Sequence, residues 1–152
     1  AWQQLSAAEM IPGIFTGVHG AGGAMEAVRG VNVPSGALQG SVFAFESFGT
    51  QAGDTHYYAG NYENTLVLGG TRSGGSPYAP ILSGVEAQGM DEKIDDALPG
   101  QGAIRTFAKT WMDANIGRCV SADSAALATY IATSDRPQCI LLFMNTFQAK
   151  PE

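Results

Sequence analysis

A chain of 152 residues, 45% hydrophobic and 14% charged, is long enough to bury the core of one domain and too apolar to stay disordered. Its net charge of −6, with eight scattered Lys and Arg, excludes the clustered basic surface that nucleic acid or an anionic membrane face requires. No run of eighteen apolar residues occurs, so the reading is of a chain that neither spans a bilayer nor carries a signal peptide, and whose start at Ala1 implies a segment removed ahead of it.

In chain order, Trp2, Leu5, Ala8 and Met10 form a brief helical face that Pro12-Gly13 terminates. It is either a short helix packed on the core or the last turns of a longer helix whose apolar part lies upstream. Eight glycines from Gly13 to Gly40 break up the next stretch, apart from a turn of helix over residues 24–29. The run Gly20-Ala21-Gly22-Gly23-Ala24 is no phosphate loop, since no strand precedes it and no Gly-Lys-Ser/Thr follows.

Residues 41–48, rich in aromatic and β-branched side chains, predict a strand, and residues 51–54 a turn. Residues 55–58 and 65–68 predict two more strands, with Gly60-Asn61 as the bend of an antiparallel meander. The breakers between Gly69 and Pro80 lead into a helix over residues 80–94, where Ile81, Leu82, Val85, Met90 and Ile94 recur at three-four spacing. Further on, residues 103–109, 127–132 and 138–147 predict strands, and residues 111–116 a turn of helix. The run Cys139-Ile140-Leu141-Leu142-Phe143-Met144 offers no polar side to water, which marks a buried central strand.

The chemistry-bearing residues do not assemble into a catalytic set. His19 sits in the glycine-rich loop and His56 beside two tyrosines, neither with a partner at informative spacing. There is no Gly-x-Ser-x-Gly elbow, and the adjacent Asp95 and Asp96 do not face each other across a sugar-sized gap as glycosidase carboxylates must. The chain is therefore expected not to be an enzyme. No Cys-x-x-Cys or Cys/His cluster makes a zinc site.

The densest polar stretch is Met90 to Arg105. It packs Asp91, Glu92, Lys93, Asp95 and Asp96 together before breaking at Pro99-Gly100 and Gly102. Asp95 and Asp96 fall at the C-terminus of the predicted helix, where the helix dipole disfavours a carboxylate by a few tenths to about 1 kcal/mol. Compensation is expected from backbone N–H groups of residues 97–102, from Lys93 or Arg105, or from a cation. Calcium, which takes six to eight oxygens, is one reading of Asp91, Asp95 and Asp96, although the spacing is not that of an EF-hand. No cofactor is otherwise expected.

This stretch, Asp91-Glu92-Lys93-Ile94-Asp95-Asp96 followed by a Pro/Gly turn, Gly102 and the Ile104-Arg105 pair, resembles a segment of type IV pilin-like and pseudopilin-like proteins. There an Ile-Asp-x-Lys-(Ile/Leu)-Asp-Asp-Gly run stands near the middle of the globular head; here Ala97 occupies the place where the family often has Gly. Residues 2–6 with Ile11-Pro12-Gly13 resemble the end of the pilin stem helix, and Cys119 with Cys139 resembles the family's disulfide-closed C-terminal region. The resemblance implies an α+β head, with the end of the N-terminal helix packed on an antiparallel sheet and a loop-rich, disulfide-closed C-terminal region, all in one domain over residues 1–152. It implies an apolar helix ahead of Ala1 that anchors the precursor in the inner membrane and later packs into a filament. The partners are other pilin-like subunits, and the setting is the periplasm or cell surface. Closing a loop over the twenty positions between Cys119 and Cys139 would stabilise the fold by about 3 kcal/mol. The alternative reading is a free extracellular module that recognises carbohydrate or a surface through Trp111, Tyr57, Tyr58 and Tyr78.

Overall fold

The organising element of the computed structural model, which describes residues 1–108 and 118–144, is one long central strand. Strand β2 (Gly60–Arg72) pairs antiparallel along its length with β1 (Ser41–Gln51). Its other edge is shared: β5 (Leu141–Phe143) covers Leu66 to Leu68, and β3 (Gly75–Ala79) covers Gly70 to Arg72. Among the described residues the two-residue strand β4 (Ile104–Arg105) pairs only with β5, so the sheet runs β1-β2-β5-β4 with every pairing antiparallel. With two helices among the described residues, α1 (Trp2–Ala7) and α2 (Gly84–Ile94), the fold is α+β.

Both faces of the sheet are covered. Leu68, Ile104 and Leu141 join Leu82, Ala87 and the paired cysteines in one core layer; Val67, Ile140 and Leu142 join Tyr62, Phe107 and Met144 in the other. Cys139, Ile140, Leu141 and Leu142 are fully buried, as expected of an apolar run with no polar side. A smaller cluster of Ala27, Val33, Val42 and Ala44 takes the ring of Trp2, which also lies 4.8 Å from that of Phe45. By this contact the short N-terminal helix packs on β1.

Several elements depart from the sequence expectation. Helix α1 ends at Ala7 rather than at Pro12-Gly13, because Glu9 has already turned to a left-handed φ of 57°. Residues 24–29 form turns and a bridge but no helix. Residues 55–58 are a bend rather than a strand, since Asp54 caps them by accepting from the backbone N–H of His56 and Tyr57 at 2.6 and 2.8 Å. Gly60-Asn61 opens β2 instead of bending the chain, and of the turn expected over residues 51–54, Gln51 still belongs to β1 and residues 52–54 are irregular. The breakers Gly69 to Pro80 hold the end of β2 and all of β3, so the meander contains residues 41–48 and 65–68 as expected, with residues 75–79 as its third strand in place of 55–58. Gly69 is required there: a Cβ on it would collide with the carbonyl oxygen of Pro77. Pro77, which lacks an N–H, is tolerated because β3 is short and lies at the sheet margin.

Helix α2 starts at Gly84, where Ser83 and Glu86 form a capping box, rather than at Pro80. Of residues 103–108, only Ile104 and Arg105 are strand, and residues 127–132 contribute a single bridge, Val120 to Tyr130. The turn of helix expected over residues 111–116, Lys109, and the end of the last predicted strand at residues 145–147 lie outside the described residues.

Candidate functional site

The acidic stretch and the disulfide loop form one structure. Ser83 and Glu86 fix where α2 begins; about two turns later the helix delivers Asp91 on its buried side, and one turn further Asp95 at its C-terminal cap. Asp95 reaches its carboxylate forward across the turn. Its Oδ2 accepts from the backbone N–H of Ala103, in a very short bond, and from Ile104 N–H at 3.0 Å. That ties the helix end to the first residue of β4. Asp96 Oδ1 accepts from Leu98 N–H at 2.9 Å and holds the turn between them. Charge-assisted bonds of this kind are worth about 1.5–3 kcal/mol each, which outweighs the dipole penalty at this end of the helix.

Two backbone positions make the turn possible. Ala97 sits at φ 61°, a left-handed conformation that costs a residue with a Cβ roughly 1–2 kcal/mol. This is the position where the resembled segment often carries Gly. Gly102, at φ 66°, passes so close to Asp95 that a Cβ there would overlap the carboxylate oxygen.

Asp91 is fully buried. Its Oδ1 accepts from Ala97 N–H at 3.3 Å and its Oδ2 from the Tyr130 hydroxyl at 2.8 Å. Burial pushes the Asp91 carboxyl above its ordinary range, the Tyr130 bond pulls it back, and the nearby charges of Asp96 and Asp95 push it up again. Burial, with Asp91 beside it, also raises the Tyr130 hydroxyl. The carboxylate oxygens of Asp91, Asp95 and Asp96 lie within 4.8 Å of one another, the cluster on which the calcium reading rests. Each of the three already accepts from protein N–H or O–H donors.

Arg105 is not the counter-charge of Asp95. Its guanidinium instead donates to the carbonyl oxygens of Ala59 at 3.1 Å and Gly102 at 3.3 Å, and stands 5.3 Å from the Tyr62 ring centroid. The reason is register: Arg105 pairs with Leu142 at the sheet edge, which directs its side chain toward the start of β2. Lys93 is exposed in the last turn of α2, where a cation suits the dipole, and pairs with no carboxylate among the described residues.

Cys119 and Cys139 are bonded, with Cα atoms 4.9 Å apart and both residues fully buried. The Cys139 N–H donates to the Leu82 carbonyl at 2.8 Å, just before α2, while Cys119 accepts from Ile131 N–H at 2.8 Å. The loop so closed returns to the acidic stretch at two points and to Tyr58 at a third. Tyr130 reaches Asp91, Ala122 accepts from the Tyr58 hydroxyl at 3.0 Å, and Ala125 accepts from Gln101 at 3.4 Å. No residue pattern announced Tyr58 and Tyr130 as the link; only their position in the fold does.

Of the aromatic side chains in the alternative reading, those among the described residues are buried or half-buried. Tyr58 is buried, and Tyr57 and Tyr78 pack edge-on against Phe107 at 5.4 and 4.9 Å. Trp111 lies outside the described residues. His56 lies 3.8 Å from Asp54 within its turn, and His19 bonds the Gly20 carbonyl. Compared with protein-family models, curated proteins and solved structures, the chain matches none.

Proposed function

We propose that the chain is the globular head of a type IV pilin-like or pseudopilin-like subunit, which works in a filament through subunit contact and surface display or adhesion. The observation that carries this reading is the acidic turn. Asp95 locks the end of α2 to the start of β4 and Asp96 holds the turn between them, which gives the Asp-x-Lys-Ile-Asp-Asp run of the resembled segment a definite structural role. The packing of Trp2 on β1, the antiparallel sheet and the C-terminal disulfide support it. A disulfide persists in an oxidising compartment, which fits a periplasmic or extracellular head. No helix among the described residues is long and apolar enough to cross a membrane. The reading therefore requires an apolar helix ahead of Ala1, and it assigns no catalytic step to the chain.

The test is assembly. Filaments sheared from producing cells should be decorated by antibody against this head in electron microscopy. The 152-residue chain alone should scatter light as a monomer or weak dimer. Filament growth from that chain alone, or an undecorated filament fraction, overturns the proposal.

A further inference from the structure

The outer edge of β1 is paired only at its beginning. Phe43 N–H donates to the Pro34 carbonyl at 3.2 Å and Gly36 N–H to the Ser41 carbonyl at 2.9 Å, so Ser41 and Phe43 turn their backbone groups away from β2. Alternation carries the same direction on to Phe45 and Ser47, which stay in register with β2 and are exposed. The segment over residues 34–36 has left the edge by then, because Val33 bridges to Arg29 instead. No further hydrogen bond among the described residues reaches the outward N–H and C=O groups of Phe45 and Ser47. Beyond them the register shifts at Gly49, which ends the regular edge.

An unpaired edge of this kind takes a strand, and there is space for one. Hollows of about 650 and 560 Å³ flank the stretch, and Phe45, Glu46 and Ser47 line both. The first holds Glu46 and Glu26 and is lined by no Lys or Arg among the described residues; the second holds Leu5, Gln4 and Asn64. Successive side chains of a strand point to opposite faces, so an incoming strand fills both hollows at once.

Charge decides which strand fits. The residue opposite Glu46 forms the narrow pair, with Cα atoms about 4.5 Å apart and side chains at their closest. Glu46 is half-buried, accepts from the Tyr78 hydroxyl and makes no ion pair among the described residues. A second copy of β1 does not suit the edge. The two-fold pairing that uses Phe45 and Ser47 together sets Glu46 opposite its own copy, and like charges directly opposite are destabilising.

We propose that β1 accepts an extended peptide of a partner protein as an added antiparallel strand over Phe45–Ser47, with Lys or Arg opposite Glu46 and an apolar residue opposite Phe45. The peptide continues the line of residues 34–36, which already run antiparallel to β1. Main-chain bonds to Phe45 and Ser47 supply the affinity, and the pair with Glu46 supplies the selectivity. The site is independent of the filament reading, since it uses neither the acidic turn nor assembly.

The experiment titrates the 152-residue protein with the capped peptide Thr-Thr-Lys-Val-Thr and follows the Phe45 and Ser47 amides by NMR and by deuterium exchange. Both amides should shift saturably, and their exchange should slow. The same peptide with Glu in place of Lys should bind about tenfold more weakly, since an attractive cross-strand pair becomes a repulsive one. Glu46→Gln should erase that preference. Methylation of the Val nitrogen, which keeps the charge and removes one ladder donor, should weaken binding severalfold in the parent protein, and this arm decides the matter if Glu46→Gln fails to fold. Unmoved amides, undiminished binding of the methylated peptide, or equal binding of the Lys and Glu peptides overturns the proposal. Protection of the two amides that grows with protein concentration in the absence of peptide also overturns it, and assigns the edge to a second copy.

Discussion

Tyr130 donates its hydroxyl to Asp91 Oδ2 at 2.8 Å, and this bond joins the disulfide-closed loop to the helix that carries the acidic turn. The partners are 39 positions apart and both buried, so neither can turn to water if the other is lost. Tyr130→Phe leaves a buried carboxylate with one fewer donor. It should destabilise the fold by about 1.5–3 kcal/mol in denaturant unfolding.

The same pair sets a pH dependence. Burial raises the Asp91 carboxyl above its ordinary 3.8, so the folded chain takes up a proton before the unfolded chain does. Its contribution to stability is therefore full below 3.8 and is lost as pH rises through the raised value. Asp91→Asn cannot titrate, so the difference in melting temperature between parent and variant should change across that window and flatten above it. A constant difference at every pH would refute the assignment.

Asp95 satisfies two backbone donors at once, which makes it the most sensitive carboxylate of the turn. Asp95→Ala orphans the N–H groups of Ala103 and Ile104 and should cost more than about 2 kcal/mol, while Asp95→Asn, which keeps an acceptor, should cost about 1 kcal/mol. A chelator should leave the parent's melting temperature unchanged, because protein donors already hold the three clustered carboxylates. A chelator-induced drop that Asp95→Asn abolishes would assign the turn to calcium.

Ala97 offers a change in the opposite direction. Its left-handed φ of 61° is open to glycine without strain, and the relief exceeds the extra unfolded-chain entropy that glycine brings. Ala97→Gly should stabilise the protein by roughly 0.5–1 kcal/mol, read as a higher denaturation midpoint. A lower midpoint would mean that the turn is not strained there.

For the Cys119–Cys139 bond, two tests agree or fail together. Denatured, unreduced protein should show no free thiol. Reduction should lower the melting temperature by on the order of 10 °C, from a chain-entropy contribution of about 3 kcal/mol.

What the sequence disclosed depended on whether a local pattern decided the local structure. The run Cys139 to Met144 was legible because it has no side to offer solvent, and β1 because Val42, Phe43 and Phe45 favour a pleated surface. The position of Asp95 and Asp96 at a helix end could be read from spacing and from Pro99-Gly100. By contrast, β2 was legible only over residues 65–68, and its end and all of β3 hid behind glycines and a proline whose purpose, the close approach of the Pro77 carbonyl to Gly69, exists only once the strands are paired. Residues 55–58 looked like a strand because Tyr57 and Tyr58 suit one, yet Asp54 had the better local claim on their backbone. The direction of Arg105 was set by its pairing opposite Leu142, which no local pattern contains.

The place of β5 in the strand order has a further consequence for how the molecule is made. The last described strand to be synthesised lies between β2 and β4, not at a margin. Until residues 141–143 leave the ribosome, β4 has no sheet partner and β2 offers the backbone of Leu66 to Leu68 to any passing strand. Cys119 must likewise wait for Cys139. The nascent chain can form the β1-β2-β3 meander early, but its centre closes only when the C-terminal segment threads home, a long-range step of the slow kind. Truncation just before residue 138 should therefore yield an insoluble chain rather than a smaller folded head, because it removes the middle of the sheet.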